Sequence, residues 1–165
     1  MQPLVYVIVI NWNGIEHLPR CLGSLARLDY PNLRTVMVDN GSADRSAEYV
    51  RARFPAVTVL ENRRNVGFAA GNNQGMAHAL ERGAEYIALL NNDMEVDPGW
   101  LSALVETAEG DRSVGACAPK LLYFDRRDII QGIGVCLNRI GLAWDCLNGR
   151  YDLPGLSVPA EVIAA

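Results

Sequence analysis

Several things are scarce or missing in this sequence, and each absence narrows what the chain can be. It has two histidines and four cysteines. His17 and His78 stand in no ligand pattern, and Cys21, Cys117, Cys136 and Cys146 form no Cys-x-x-Cys pair, which argues against a zinc cluster or a redox dithiol. Reduced, buried thiols are expected, and with them a cytoplasmic location. No excess of positive charge is present: the net charge of -4 argues against a polyanion or nucleic-acid binder. No apolar run is long enough to span a bilayer, since Leu4 to Ile10 is short, lacks a basic flank and reads as a core strand. No repeat, low-complexity tract or long linker divides the chain. Its 165 residues therefore predict a single domain, 1–165, that buries about 70% of the unfolded surface. Finally, Asn13-Gly14 follows the first strand where a nicotinamide-dependent oxidoreductase needs Gly-x-Gly-x-x-Gly.

What is present is alternation. Leu4 to Ile10 is apolar on both faces and breaks at Asn11-Trp12-Asn13-Gly14, as a central parallel strand would. Leu18, Leu22, Leu25 and Leu28 recur at helical spacing between Ile15 and Leu28. A strand Thr35 to Val38 ends in Asp39-Asn40-Gly41-Ser42, with Ser42 placed to cap a helix from Ala43 to about Phe54. Val57 to Leu60 is a third strand, and a polar loop leads into a helix Phe68 to Arg82 that Gly83 ends in a left-handed cap. The strand beginning at Tyr86 reads as buried until it meets Asn91-Asn92-Asp93, and Pro98 opens a helix through about Ala108. Strands alternating with helices predict an α/β fold, a Rossmann-like, doubly wound, mostly parallel sheet. The tail differs. Val114 to Ala118 is a strand candidate, and Leu121 to Phe124, Ile129 to Leu137 and Gly141 to Trp144 read as short strands or hairpins. Asn148 to Pro159 reads as loop, and an apolar element begins at Glu161 to Ala165.

In such a sheet ligands bind beyond the carboxyl ends of the strands, where three polar endings should meet: Asn11 to Asn13, Asp39-Asn40, and Asn91 to Asp93. Asp93 is a candidate for a divalent cation and a diphosphate. The plainer alternative is that Asp93, Glu95 and Asp97 form a solvated turn and an acidic helix start. Asp39 accepts hydrogen bonds and does not donate, so it suits a nucleoside hydroxyl or base N–H, or else builds a local turn. The small residues of Asn65 to Gly75 suit either close approach of a ligand backbone to a helix N-terminus or packing of Gly71 and Gly75 against the sheet. Trp12 flanks a base or belongs to a core or interface.

The strings Val7 to Gly14 (VIVINWNG), Val36 to Ser46 (VMVDNGSADRS), Asn65 to Gly75 (NVGFAAGNNQG) and Leu89 to Leu101 (LLNNDMEVDPGWL) occur in the order of the signatures of family 2 glycosyltransferases. The chain resembles that family, and within it the rhamnosyltransferase-like branch. The resemblance implies a GT-A fold. It also implies inverting transfer of a sugar, rhamnose among the candidates, from a dTDP- or UDP-sugar to a glycan or lipid-linked acceptor in cell-envelope polysaccharide synthesis. It implies Mg²⁺ or Mn²⁺ as cofactor, held by Asp93 and Asn91 where the family's motif reads Asp-x-Asp. Asn11, Asn13, Asp39, Gly67, Asn73 and Asn92 take nucleotide-sugar positions by the same resemblance. Members of the family continue past the equivalent of Ala165 into an acceptor-binding segment that carries the catalytic base. No residue of this chain is assigned that role, and a noncatalytic nucleotide-sugar-binding module is the alternative. If such a segment covers Ile129 to Trp144, exposure of those residues predicts a homo-oligomer or a mobile tail. Action in the cytoplasm, including at the inner face of the membrane, is the expected setting.

Overall fold

The computed structural model describes residues 2–137 and 142–156. The chain divides into two compact units, Met1–Leu101 and Ser102–Ala165. The first contains a four-stranded, all-parallel sheet built from β1 (Val5–Asn11), β2 (Leu33–Asp39), β3 (Thr58–Glu61) and β4 (Tyr86–Asn91) in the order β3-β2-β1-β4. Helices α1 (Leu18–Leu25), α2 (Ser46–Arg53) and α3 (Phe68–Leu80) alternate with these strands as the sequence predicts. With β1 central, Asn11 is in register with Asp39, and Ile10 with Asn91. The ends of β1, β2 and β4 therefore open on one edge.

Both faces of β1 are apolar because both are covered. Tyr6, Ile8, Val36 and Val38 form a buried cluster with Ala79 of α3, while Val5, Val7, Val9 and Met37 are equally buried on the opposite face. Each such side chain contributes about 1.5–3 kcal/mol of transfer free energy. Helix α3 comes this close because it has glycine at the contact. A Cβ on Gly71 would lie 2.5 Å from Ile10 Cδ1, and one on Gly75 would lie 2.4 Å from Ile8 Cγ2. Of the two readings of this small-residue segment, packing accounts for these glycines. The helix ends as expected: Gly83 has φ of 78°, its N–H bonds the Leu80 carbonyl, and Ala84 N–H reaches Ala79 O.

Several boundaries differ from the sequence reading, each for a local reason. Helix α1 starts at Leu18 because Gly14 to His17 form a turn, tied across to the next loop by Ile15 N–H donating to Asp44 Oδ2 at 2.9 Å. Helix α2 starts at Ser46, not Ala43, since the Ser42 hydroxyl is occupied by Asp39 and Asn11, and Asp44 accepts from the Ser46 N–H instead. Strand β4 lies at the sheet edge, so it is half-buried where a buried strand was expected.

The second unit carries most of α4 (Trp100–Gly110), whose first turn holds the boundary, and two antiparallel pairs: β5 (Leu121–Leu122) with β6 (Ile130–Gly132), and β7 (Val135–Leu137) with β8 (Ala143–Asp145). Short strands and a hairpin were expected here, but Val114 to Ala118 forms no strand. Ile129 bridges Tyr151, and Lys120 pairs with Asp152 at 2.6 Å. The expectation of reduced thiols is corrected at one pair. The hairpin brings Cys136 and Cys146 to a Cα–Cα separation of 5.3 Å and they form a disulfide, while Cys21 and Cys117 are free. That bond removes the thiol argument for a cytoplasmic location. Among the described residues no helix is long and apolar enough to cross a membrane. The element expected at Glu161 to Ala165, and Pro159 before it, lie outside the described residues.

The contact of α3 with the sheet leaves no room for a side chain at Gly75. Gly75→Ala gains about 1 kcal/mol of helix propensity but drives a methyl into fully buried Ile8, at an overpacking cost of about 1–3 kcal/mol. We expect a lower melting temperature by calorimetry, where an exposed helical position would show a rise.

Candidate functional site

A cleft of about 300 Å³ opens at the shared strand edge, lined by Ile10, Asn11, Trp12, Asn40, Asn65, Phe68, Asn91, Asn92 and Asp93. Amides dominate its walls. Two aromatic rings stand at it: Trp12 is 57% exposed and Phe68 61%. An exposed ring beside a polar cleft is not a core tryptophan, so of the readings open for Trp12 the structure removes that one.

Asn11 closes the floor and is 1% exposed. Its Nδ2 donates to Asp39 Oδ1 at 3.0 Å and to Ser42 Oγ at 3.2 Å, and its Oδ1 accepts from Asn92 Nδ2 at 2.7 Å. Asp39 accepts twice more, from the Ser42 hydroxyl on Oδ1 at 2.6 Å and from the Ser42 N–H on Oδ2 at 2.9 Å. Asp39 is thus 3% exposed and stands behind the cleft wall, not on it. A carboxylate offers about four acceptor positions, so Oδ2 keeps one.

The other predicted residues divide. Asn91, Asn92 and Asp93 line the cleft beside Asn11. Asn13, at φ of 50°, fastens the loop after β1 to the loop after β2, its N–H donating to Ser42 Oγ and its Oδ1 accepting from Ala43 N–H. Gly67 begins α3 at φ of 90° and supports Asn40, whose Nδ2 donates to its carbonyl at 3.1 Å. Neither Asn13 nor Gly67 lines the cleft. Asn73 also lies outside the cleft lining, on the exposed side of α3, because Gly71, Asn72, Gly75 and Ala79 are the residues that the helix turns inward.

The sequence reading placed Asn40 in a strand ending at the ligand edge, and Asn65 and Phe68 in the small-residue segment, but gave none of the three a role of its own. Asn40 is 2% exposed and holds the wall together, accepting from Asn62 Nδ2 at 3.0 Å and donating to Asn65 Oδ1 at 3.3 Å. Phe68 did carry a signal: an aromatic residue placed first in a helix whose next buried positions are glycine and asparagine has no core to enter.

Among the described residues the Asp93 carboxylate makes no hydrogen bond or ion pair. Its neighbours are accounted for otherwise. Glu95 lies 3.7 Å from Arg27, and Asp97 accepts from Gly99 N–H at 3.0 Å, an acidic cap on α4. The plainer reading thus explains Asp97 and leaves Asp93 available. Beneath it lies Cys21, whose thiol donates to the Asn91 carbonyl at 3.7 Å. Burial, with the Asp93 charge adding to it, pushes that thiol up to about 12, so Cys21 is a packing residue and not a nucleophile.

Mg²⁺ takes oxygen ligands, uses one or two carboxylates, and fills its other positions with phosphate and water. Among the described residues no group of three His, Cys, Asp or Glu side chains is arranged to hold an ion. The donors at the turn, one free carboxylate and the Asn91 amide, fit a cation that arrives with a diphosphate. They do not fit a permanently caged one.

The model for the family described as glycosyl transferase family 2 matches residues 6–139. The chain is 25% identical over 127 residues to an N-acetylglucosaminyl-diphospho-decaprenol L-rhamnosyltransferase of Mycobacterium tuberculosis, covering 72% of this chain and 41% of that protein. It is 30% identical over 161 residues to galactofuranosyltransferase GlfT1 of Mycolicibacterium smegmatis, covering 97% and 52%. Among solved structures, the mannosyltransferase PcManGT of Pyrobaculum calidifontis, in complex with GDP-Man and Mn²⁺, superposes with a TM-score of 0.65 at 27% identity. That match covers 73% of this chain and 36% of the mannosyltransferase. The chain therefore spans about half or less of each of these proteins.

One carboxylate at the loop junction responds to acid. Burial works against the charged form of Asp44, but the Ser46 hydroxyl and the N–H groups of Ile15 and Ser46 outweigh it and hold its carboxyl below the usual value of 3.8. A depressed folded-state value contributes stability above the unfolded value that disappears as pH falls through the folded one. Asp44→Asn is therefore expected to lower the melting temperature at pH 7 and to lose less further stability between pH 5 and pH 3 than the unsubstituted chain, as thermal scans across that range would show.

Proposed function

The chain belongs to glycosyltransferase family 2, and from that premise we propose that the cleft receives the nucleoside diphosphate of a sugar donor whose sugar passes to an acceptor hydroxyl. The observation that carries this reading is the free Asp93 carboxylate on the same cleft as two exposed rings and an amide floor. A nucleoside needs a stacking surface and polar partners for its base, and a diphosphate needs charge compensation. Here both lie within one cleft.

In this proposal Trp12 and Phe68 flank the base. Asn11 and Asn40 hold the polar wall that faces the base and ribose, and Asp39 supports that wall from behind by fixing the Asn11 amide. Asn91 and Asp93 hold Mg²⁺ or Mn²⁺. That cation, when bound, offsets charge on the departing diphosphate. The proposed chemistry is inverting attack by a deprotonated acceptor hydroxyl on the anomeric carbon, with the nucleoside diphosphate leaving. No described residue is assigned as the base. A mannosyltransferase of the same architecture holding GDP-Man and Mn²⁺ supports the donor and cation roles. The relatives named above use different sugars. A rhamnosyl donor and a diphospho-polyprenol-linked sugar acceptor are the first candidates, from the name of the mycobacterial relative, and the family resemblance adds dTDP as the carrier and an envelope glycan as the product. A cytoplasmic setting rests on this substrate class and not on the thiols.

A donor-binding module without transfer is the second reading, favoured by the single acidic group in the Asn91 to Asp93 turn. Calorimetry with UDP, dTDP and GDP, with and without MnCl₂, tests binding, and sugar release tests chemistry. Asp93→Asn is expected to abolish the tightening by Mn²⁺ while leaving the melting temperature nearly unchanged, since Asp93 is exposed and unpaired. Equal affinity with and without Mn²⁺ in the unsubstituted chain would overturn the cation role.

A further inference from the structure

The amide of Asn11 has only one orientation that its surroundings permit. Asp39 is an acceptor only, and the Ser42 hydroxyl gives its proton to Asp39 Oδ1 at 2.6 Å, so both present lone pairs to Asn11. Nδ2 must face them, as it does at 3.0 Å and 3.2 Å. Oδ1 then points at the turn after β4, where Asn92 Nδ2 donates to it at 2.7 Å. The polarity of the whole string, from Asp39 through Asn11 to Asn92, is set at its Asp39 end.

Gly14 shows that space has been kept for this link. A Cβ there would lie 2.1 Å from Asn92 Nδ2 and 2.9 Å from Asn11 Oδ1. Gly14 has no positive φ, so its backbone would accept a side chain, and it is the hydrogen-bonded pair of Asn92 Nδ2 and Asn11 Oδ1 that excludes one.

We propose that Asn92 is required as a hydrogen-bond donor, and that through Asn11 it fixes the cation-holding turn to the nucleoside end of the cleft. Asn92 is thus a positioning residue for Asp93 and not a cation ligand. This rests on the sugar-donor reading above. Coupling of this kind is reciprocal: a cation tightens nucleotide binding by the factor by which nucleotide tightens the cation. The link is also selective. Aspartate at position 92 would add charge beside Asp93 but oppose an acceptor to Asn11 Oδ1, so the two roles predict opposite results.

The test measures the dissociation constants of UDP, dTDP and GDP with and without saturating MnCl₂ for the unsubstituted chain, Asn92→Ala, Asn92→Asp and Gly14→Ala. In the unsubstituted chain Mn²⁺ is expected to tighten binding at least about fivefold, within the usual range for coupled sites. The ratio falls toward one in Asn92→Ala and also in Asn92→Asp. A general loss of stability would weaken both arms alike and leave the ratio unchanged. Gly14→Ala also lowers the ratio, because its methyl takes the space of the Asn92 amide and presses on Asn11 Oδ1. Asn92→Ala only removes atoms and carries the test even if Gly14→Ala misfolds. Tighter Mn²⁺-dependent binding in Asn92→Asp, or a full Mn²⁺ effect in Asn92→Ala, overturns the proposal. Nucleotide binding without any Mn²⁺ effect in the unsubstituted chain also overturns it while leaving the donor cleft standing, whereas no binding of any nucleotide removes both.

Discussion

The first unit is organised by a hydrogen bond across two strand ends, from Asn11 Nδ2 to Asp39 Oδ1. Parallel strands in register deliver their last residues side by side, and here those residues are an amide and a carboxylate, almost fully buried. A buried carboxylate without donors is costly. Asp39 has three, one from Asn11 on the cleft floor and two from Ser42 behind it. The loops after β1 and β2 are locked to each other through Asn13 and Ser42, and the turn after β4 is locked to β1 through Asn92. A rim made from three separate chain segments thereby behaves as one piece.

That rigidity suits a cleft whose lining, among the described residues, carries one charged side chain, Asp93. The cleft wall is built largely from amides, which are uncharged and satisfy one another, so it recognises by shape and hydrogen bonding while one carboxylate supplies the electrostatics. The asparagines of the second wall work the same way, with Asn40 at their centre bonded to Asn62, Asn65 and Gly67. Phe68 stays solvent-facing because the glycines of α3 draw the helix onto the sheet and leave its first residue beyond the edge, while Trp12 follows the last residue of β1 and is already past the sheet.

Much of this was legible in the sequence, since periodicity and turn chemistry report on local constraints. The alternation of strands and helices, the Gly83 cap and the meeting of three polar strand ends follow from residue spacing alone. The GT-A architecture follows from the resemblance of four short blocks and agrees with the solved neighbours. What escaped depends on partners distant in the chain. Asp39 looks available until Asn11 and Ser42 are seen to occupy it, and Ser42 looks like a helix cap until Asp39 claims its hydroxyl. Asn73 resembled a site residue by motif, yet the helix turns Asn72 inward instead. The Cys136–Cys146 disulfide required the hairpin register, which no cysteine spacing reveals. Edge position hid the exposure of β4, because an edge strand and a central one share the same apolar run.

The central claim is that the strand-end cleft is the nucleotide site. It is tested most directly by two-dimensional ¹H–¹⁵N NMR of the labelled chain titrated with UDP, dTDP and GDP. The account predicts shifts concentrated on the Trp12 indole N–H, the side-chain amides of Asn11, Asn40, Asn65 and Asn92, and the backbone of Phe68 and Asp93. Saturable shifts confined to the second unit, with these signals unmoved, would contradict it.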